Sequence, residues 1–208
     1  MTIDLQSPPT LAIGLFAQIA TGLLWCALGL VIIAIFQDKP LAVIALPLPP
    51  WFQGLVGLGL AAAAAGASYL SFRFSSQSKA TRDTMASYAR LDLSGLNPVW
   101  ISLAAAVGEE MLFRAALQPL LGIWMASLIF LVAHTRAYRF RSFNRATLVQ
   151  AGGVFGTSIF LGLVFQYVGL LAAMLVHAAL DIVGLYTIRV VMRNADQERI
   201  LPTAETCR

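Results

Sequence analysis

The sequence predicts an all-α polytopic membrane protein: a single domain of about six transmembrane helices around a polar intramembrane site. Three observations carry that expectation. Of the 208 residues, 59% are hydrophobic and 12% charged, against about 25% charged in soluble domains, and the mean hydropathy is +0.78. Leu11 to Phe36 runs without a charge for longer than the roughly 20 residues a bilayer crossing needs. Finally, ionisable side chains interrupt stretches that are otherwise apolar: Glu109, Glu110 and Arg114 between Trp100 and Leu121, then His134, His177 and Asp181. Each costs about 2.5–3.5 kcal/mol at the centre of a spanning helix by insertion scales. A chain that bears the cost several times is expected to use those groups.

In chain order, the first span is read at about 11–36. Its run is too long, and its start Met1-Thr2-Ile3-Asp4 too poor in basic residues, for a cleaved signal peptide. A Pro-rich connection, Gln37 to Pro50, leads to the second span at about 51–72. The small residues from Ala61 to Ser68 suit close helix packing there. Residues 73–96 read as the longest solvated loop and a candidate gate, with an interfacial helix around Thr84 to Leu93. The third span starts near Asn97-Pro98, where proline fits a first helical turn, and ends near Pro119. The fourth is about 121–135, followed by the basic stretch Arg136 to Arg145. The fifth, about 147–166, and the sixth, about 169–192, are separated only by a tight connection near Tyr167-Val168-Gly169. The single domain 1–208 divides into 1–94 (two spans and a loop), 95–193 (the core carrying the ionisable groups) and the polar tail 194–208.

Charge tests the topology. With six spans, one side collects Arg73, Lys79, Arg82, Arg90, Arg136, Arg139, Arg141, Arg145, Arg189, Arg193, Arg199 and Arg208 of the 14 Lys and Arg, and the other holds only Lys39. The positive-inside rule then makes both termini cytoplasmic. The net charge of +4 and the alternation Arg136-Ala137-Tyr138-Arg139-Phe140-Arg141 fit cations meeting anionic lipid better than nucleic acid, and no nucleic-acid partner is expected. Cys26 and Cys207 form neither a disulfide framework nor a zinc-type spacing.

Glu110 and Arg114 are four apart on one helix face, acid first, and pairing lowers the cost of burying both. Glu109 points about 100° away. One carboxylate can therefore be structurally paired while its neighbour serves as a general base. Phe130 and His134, and His177 and Asp181, are also four apart. Asp181 can orient His177. Three spans could converge a carboxylate, two imidazoles and a second carboxylate on one water molecule, which suits amide hydrolysis. An interhelical salt bridge that only fixes packing is the plainer alternative.

The motifs Glu109-Glu110-Met111-Leu112-Phe113-Arg114, Phe130 to His134 and His177 to Asp181, with Gly108 before the glutamates and Ile123-Trp124-Met125-Ala126-Ser127 before the histidine, resemble the CPBP family of type 2 CAAX prenyl endopeptidases and bacteriocin-processing (Abi) proteins. The resemblance covers about residues 95–190. It implies a glutamate-dependent intramembrane endopeptidase acting on a membrane-anchored protein or peptide, expected in the inner or plasma membrane of a bacterium. By motif position, Glu109 and His134 would activate water, His177 and Asp181 would occupy oxyanion-stabilising positions, and Glu110 and Arg114 would support them. Characterised CAAX proteases carry asparagine at the position of Asp181, although aspartate occurs in bacterial members. An ionised carboxylate cannot donate to an oxyanion, so Asp181 is protonated, orients His177, or helps to bind a metal. Glu109, His134, His177 and Asp181 could supply a metal shell such as one for zinc. HExxH is absent, and the favoured reading needs no cofactor.

Two other functions compete: a non-proteolytic binding or immunity protein using the same polar cavity, and a proton-coupled transporter, against which the lack of an internal repeat counts. One geometric tension is visible. Glu109 lies about 18 Å into its span, whereas His134 is two residues from Arg136. Contact requires a tilted span, a helix that continues past Arg136, or a third span that begins outside lipid.

Overall fold

The computed structural model describes residues 13–38, 47–75, 79–88, 90–135 and 145–200. These form α1 (Leu15–Phe36), α2 (Pro50–Ser75), α3 (Lys79–Tyr88), α4 (Asn97–Glu110), a π-helical segment (Met111–Leu117), α5 (Gln118–Ala133), α6 (Arg145–Tyr167) and α7 (Leu170–Ile200). Among the described residues the only extended pairings are isolated bridges, Ile13 with Leu91 and Pro47 with Gly169. The fold is all-α. Among the described residues, five helices are long and apolar enough to cross a bilayer: Leu15–Phe36, Pro50–Phe74, Asn97–Ala133, Thr147–Tyr167 and Leu170–Asn194. Their outward faces carry Phe16, Leu23, Trp51, Leu58, Trp124 and Leu163 in exposed positions. That is the surface of an integral membrane protein, since water-soluble chains rarely expose apolar area on this scale.

The helices run up and down between two ends. At one end, the Ile13 amide donates to Arg90 O at 2.8 Å and the Asp92 amide to Ile13 O at 3.2 Å. Arg189 Nη1 donates to Gly95 O at 2.7 Å, and Gln150 on α6 donates to the Thr84 hydroxyl on α3. Met85, Leu93, Ile101, Leu185 and Ile188 close this end with a buried cluster, against which Leu15 and Phe72 pack. The Ser94 hydroxyl and amide hold the exposed Asp92 carboxyl below its ordinary range, in the turn that launches α4. At the opposite end, Gln37 reaches Ala115 O at 2.8 Å and Gln118 Nε2 donates to Gly162 O at 2.9 Å. The described arginines outside the core, Arg73, Arg90, Arg145, Arg189 and Arg193, lie at or near the first end, where α1 begins and α7 finishes. The Pro-rich connection over 39–46, the basic stretch over 136–144 and residues 201–208 of the tail lie outside the described residues.

Three boundaries differ from the sequence reading. Residues 73–96 are not simply a solvated loop: α2 continues to Ser75, and the expected interfacial helix sits earlier, at Lys79–Tyr88. It stops there because Leu91 turns back, its amide on Tyr88 O at 3.0 Å, and pairs with Ile13. α7 runs past Asn194 into the expected tail. Most important for the site, the third and fourth spans are one 37-residue apolar element, folded at Gly122, whose φ of 77° and ψ of 165° break the helix. The return limb after Gly122 ends at Ala133, about 16 Å long, half of the roughly 30 Å hydrocarbon core.

Glycines set the closest approaches. Any Cβ on Gly22 of α1 would strike the Ala104 backbone, and one on Gly108 would strike Gly22. α1 therefore lies directly on the helix bearing the glutamates. On the other flank Ala61 and Ala64 of the small-residue run pack on Ala172, Ala173 and Val176 of α7. The tight connection before α7 is made by Gly169, at φ +131° with Gln53 filling the space a side chain would need. Gln53 is fully buried; its Oε1 accepts the Leu171 amide at 3.0 Å, one of the donors a helix N-terminus leaves orphaned. Gly169→Ala is expected to lose about 1–3 kcal/mol through the strained φ alone, with further loss from displacing Gln53, read as a lower unfolding midpoint in detergent.

Candidate active site

The fold at Gly122 removes the tension between Glu109 and His134. Thirteen residues separate Glu109 from Gly122 and twelve separate Gly122 from His134, so the two limbs bring the pair to the same height. His134 is the C-cap of α5 and stands beside Glu109, Nε2 to Oε2 3.3 Å. α7 runs past the same point and supplies His177, whose Nε2 lies 3.9 Å from the same Glu109 oxygen. All six residues singled out by sequence, Glu109, Glu110, Arg114, His134, His177 and Asp181, meet in one cluster.

The two glutamates do different things. Glu110 and Arg114 are both fully buried, with Nε 3.1 Å from Oε2. The other oxygen of Glu110 accepts from His177 Nδ1 at 2.8 Å. The sequence reading lets Asp181 orient His177; in the structure that task falls to Glu110. Asp181 Oδ2 instead stands 3.6 Å from His177 Nε2, the nitrogen turned toward Glu109. Its side chain is 39% exposed, against 14% for Glu109 and 17% for His134, so the cluster opens past Asp181. One turn of α7 carries Asp181 from His177 toward the arginine-bearing end.

The tautomers follow from the partners. A backbone carbonyl can only accept, so the bond of 2.9 Å between His134 Nδ1 and Phe130 O puts a hydrogen on Nδ1 and turns Nε2 toward Glu109. Glu110, paired with Arg114, likewise accepts from His177 Nδ1–H. Both Nε2 atoms and one carboxylate oxygen of Glu109 thus converge.

One residue that the sequence reading placed on the face of His134, without giving it a role, carries weight here. Phe130 is buried and stacks on His134, centroids 4.1 Å apart and rings 21° from parallel. Arg114 sits 5.2 Å from its centroid, a cation–π contact, and Phe113 meets it edge-on at 4.9 Å. The signal was its position four residues before His134, on the same face. The Arg114 Nη1 and Nη2 groups, buried, have no hydrogen-bond partner among the described residues, which leaves Phe130 and Glu110 as the guanidinium's main support. No set of three His, Cys, Asp or Glu side chains among the described residues is arranged to hold a metal ion.

Comparison with known proteins points the same way. Residues 93–183 match the Rce1-like family, described as type II CAAX prenyl endopeptidase Rce1-like. The chain is also 37% identical over 92 residues to the uncharacterized protein YpbD of Bacillus subtilis (strain 168), a match covering 44% of this chain and 45% of that protein. The chain therefore spans under half the length of the curated relative it matches. No solved structure matches. The matched residues contain the whole cluster from Glu109 to Asp181, so the similarity to the Rce1-like family of type II CAAX prenyl endopeptidases covers the site itself.

Proposed function

We propose that the protein is an intramembrane endopeptidase that hydrolyses a peptide bond in a membrane-associated protein or peptide. The observation that carries this reading is the convergence of Glu109 Oε2 on two imidazole Nε2 atoms, at 3.3 Å and 3.9 Å. Water held between Glu109 and His134 gives its proton to that pair, and the oxygen attacks the scissile carbonyl carbon. The carbonyl electrons move onto oxygen. As an imidazolium held through Nδ1 by Glu110, His177 meets the oxyanion with Nε2–H. Collapse breaks the C–N bond, and the stored proton leaves with the amine. Glu110 and Arg114 act as positioning residues behind His177. Asp181, 3.6 Å from His177 Nε2, adds a negative charge beside the imidazolium on the open side.

Hydrolysis by these groups needs no metal. Cleavage is expected to survive EDTA and 1,10-phenanthroline unchanged; loss restored by zinc would transfer the water-activating role to a metal. The arginine-bearing end is the cytoplasmic one in this reading, which makes the site open toward the cytoplasm of a bacterial plasma membrane.

The test compares membranes from cells with and without the protein by terminal-peptide proteomics, with Glu109→Ala as control. New termini seen only with the intact chain support the reading. The same termini in the Glu109→Ala membranes, or none in either, would end it.

A further inference from the structure

The glutamates are followed at once by an irregularity. Met111–Leu117 is π-helical, and the Gln118 amide bonds Phe113 O, five residues back. Such a segment inserts in effect one extra residue into the helix; Pro119, which has no N–H and whose ring crowds the carbonyl four residues back, removes the α-helical donor of Ala115 O, so that carbonyl has to be satisfied from outside. The outside partner is α1, which lies before the family-matched residues 93–183. Gly29 packs so closely on the start of the segment that a Cβ there would stand 2.8 Å from Met111 O. At the far end Gln37, the C-cap of α1, aims its amide at Ala115 O (2.8 Å) and Ala116 O (3.4 Å). Ala115 and Ala116 are fully buried beneath the half-buried Gln37, which is their side-chain donor. Between the two contacts Met111, Ala115 and Ala116 pack with Ile33 and Leu170.

The register of this segment decides whether the site exists. If it tightened to ordinary α-helix, everything beyond it would turn by about 100° and shift by about 1.5 Å relative to Glu109 and Glu110. The return limb is carried by that part, and His134 with it. We propose that Gln37 is a positioning residue for the hydrolytic pair: by donating to Ala115 and Ala116 it holds the π register that sets His134 against Glu109. The function given to that pair rests on the endopeptidase reading; the geometric role does not.

Two readouts separate these. In full-length chain with Cys26 and Cys207 replaced by serine, Glu109→Cys and His134→Cys are joined in native membranes by a short thiol crosslinker. Gln37→Met, which keeps the length and loses the donor, is expected to reduce this crosslink to background. A control pair, Ala61→Cys and Ala172→Cys between α2 and α7, stays joined. Should both crosslinks fail, the variant has unfolded, and Gln37→Asn replaces it. Its amide stops one methylene short, so it is expected to lose the 109–134 crosslink as well. In the otherwise native chain, acting on the peptide identified by proteomics, Gln37→Met is expected to lower kcat by about tenfold or more, the scale of an ångström-level misplacement, with KM unchanged. Full crosslinking at 109–134 in a folded variant lacking the donor overturns the proposal. A wild-type chain that cleaves nothing removes the endopeptidase reading and leaves the crosslink test intact.

Discussion

Glu109→Gln is expected to fold like the parent chain and to lose cleavage by a factor of about 10²–10⁴, the usual contribution of a positioned general base. The amide is isosteric and, unlike the carboxylate, can donate to His134 Nε2, which stands 3.3 Å from Oε2. The geometry therefore survives while the capacity to take a proton from water does not. Stability is spared because the buried guanidinium is paired with the neighbouring glutamate, Glu110. The check is the rate of appearance of the new terminus beside an unfolding midpoint measured on the same preparation. A variant that keeps its rate would transfer the base to another group.

Glu110→Gln is expected to do the opposite in order of magnitude: its first effect is on the fold. It leaves a fully buried Arg114 without its anion, and breaking one side of such a pair costs about 3–5 kcal/mol. Neither terminal nitrogen of Arg114 has a hydrogen-bond partner among the described residues to soften the loss. Lower yield in membranes and a depressed unfolding midpoint are the measurements. The double variant Glu110→Leu with Arg114→Met separates causes, since replacing a whole buried pair by apolar groups is often close to neutral. It should recover much of the stability and none of the activity, because His177 Nδ1 loses the acceptor at 2.8 Å that orients it. Recovery of activity would show that His177 needs no carboxylate behind it.

The cluster was legible in the sequence because intramembrane charge is costly enough to be conspicuous. Glu109, Glu110, Arg114, His134, His177 and Asp181 stand out against apolar surroundings, and spacing of four residues puts partners on one helix face. The different partners of the two glutamates were legible for a related reason. Adjacent residues on a helix point about 100° apart, and only Glu110 shares a face with Arg114. What could not be read was how the elements meet. The carboxylate behind His177 comes from α4, whereas local spacing pointed to Asp181. The span count had the right up-and-down order but treated 121–135 as a full crossing. The sequence reading placed a break between Pro119 and residue 121, close to Gly122, but hydropathy does not tell a half-length return limb from a complete span. Gln37 was lost in the same way: a neutral polar residue at the end of an apolar run looks like any helix terminus until the carbonyls it serves are known.

The folded arm at Gly122 makes chain length itself a determinant of the Glu109–His134 contact. Surface loops usually absorb added or missing residues for a few tenths of a kcal/mol, and evolution or an engineer can vary them freely. The stretch from Glu109 to His134 has no such slack, because two helical limbs lead from one apex at Gly122 to its two ends. Insertions and deletions are expected to be tolerated outside this hairpin and forbidden within it, even at lipid-facing positions such as Leu121 or Met125 where any single apolar substitution would pass unnoticed.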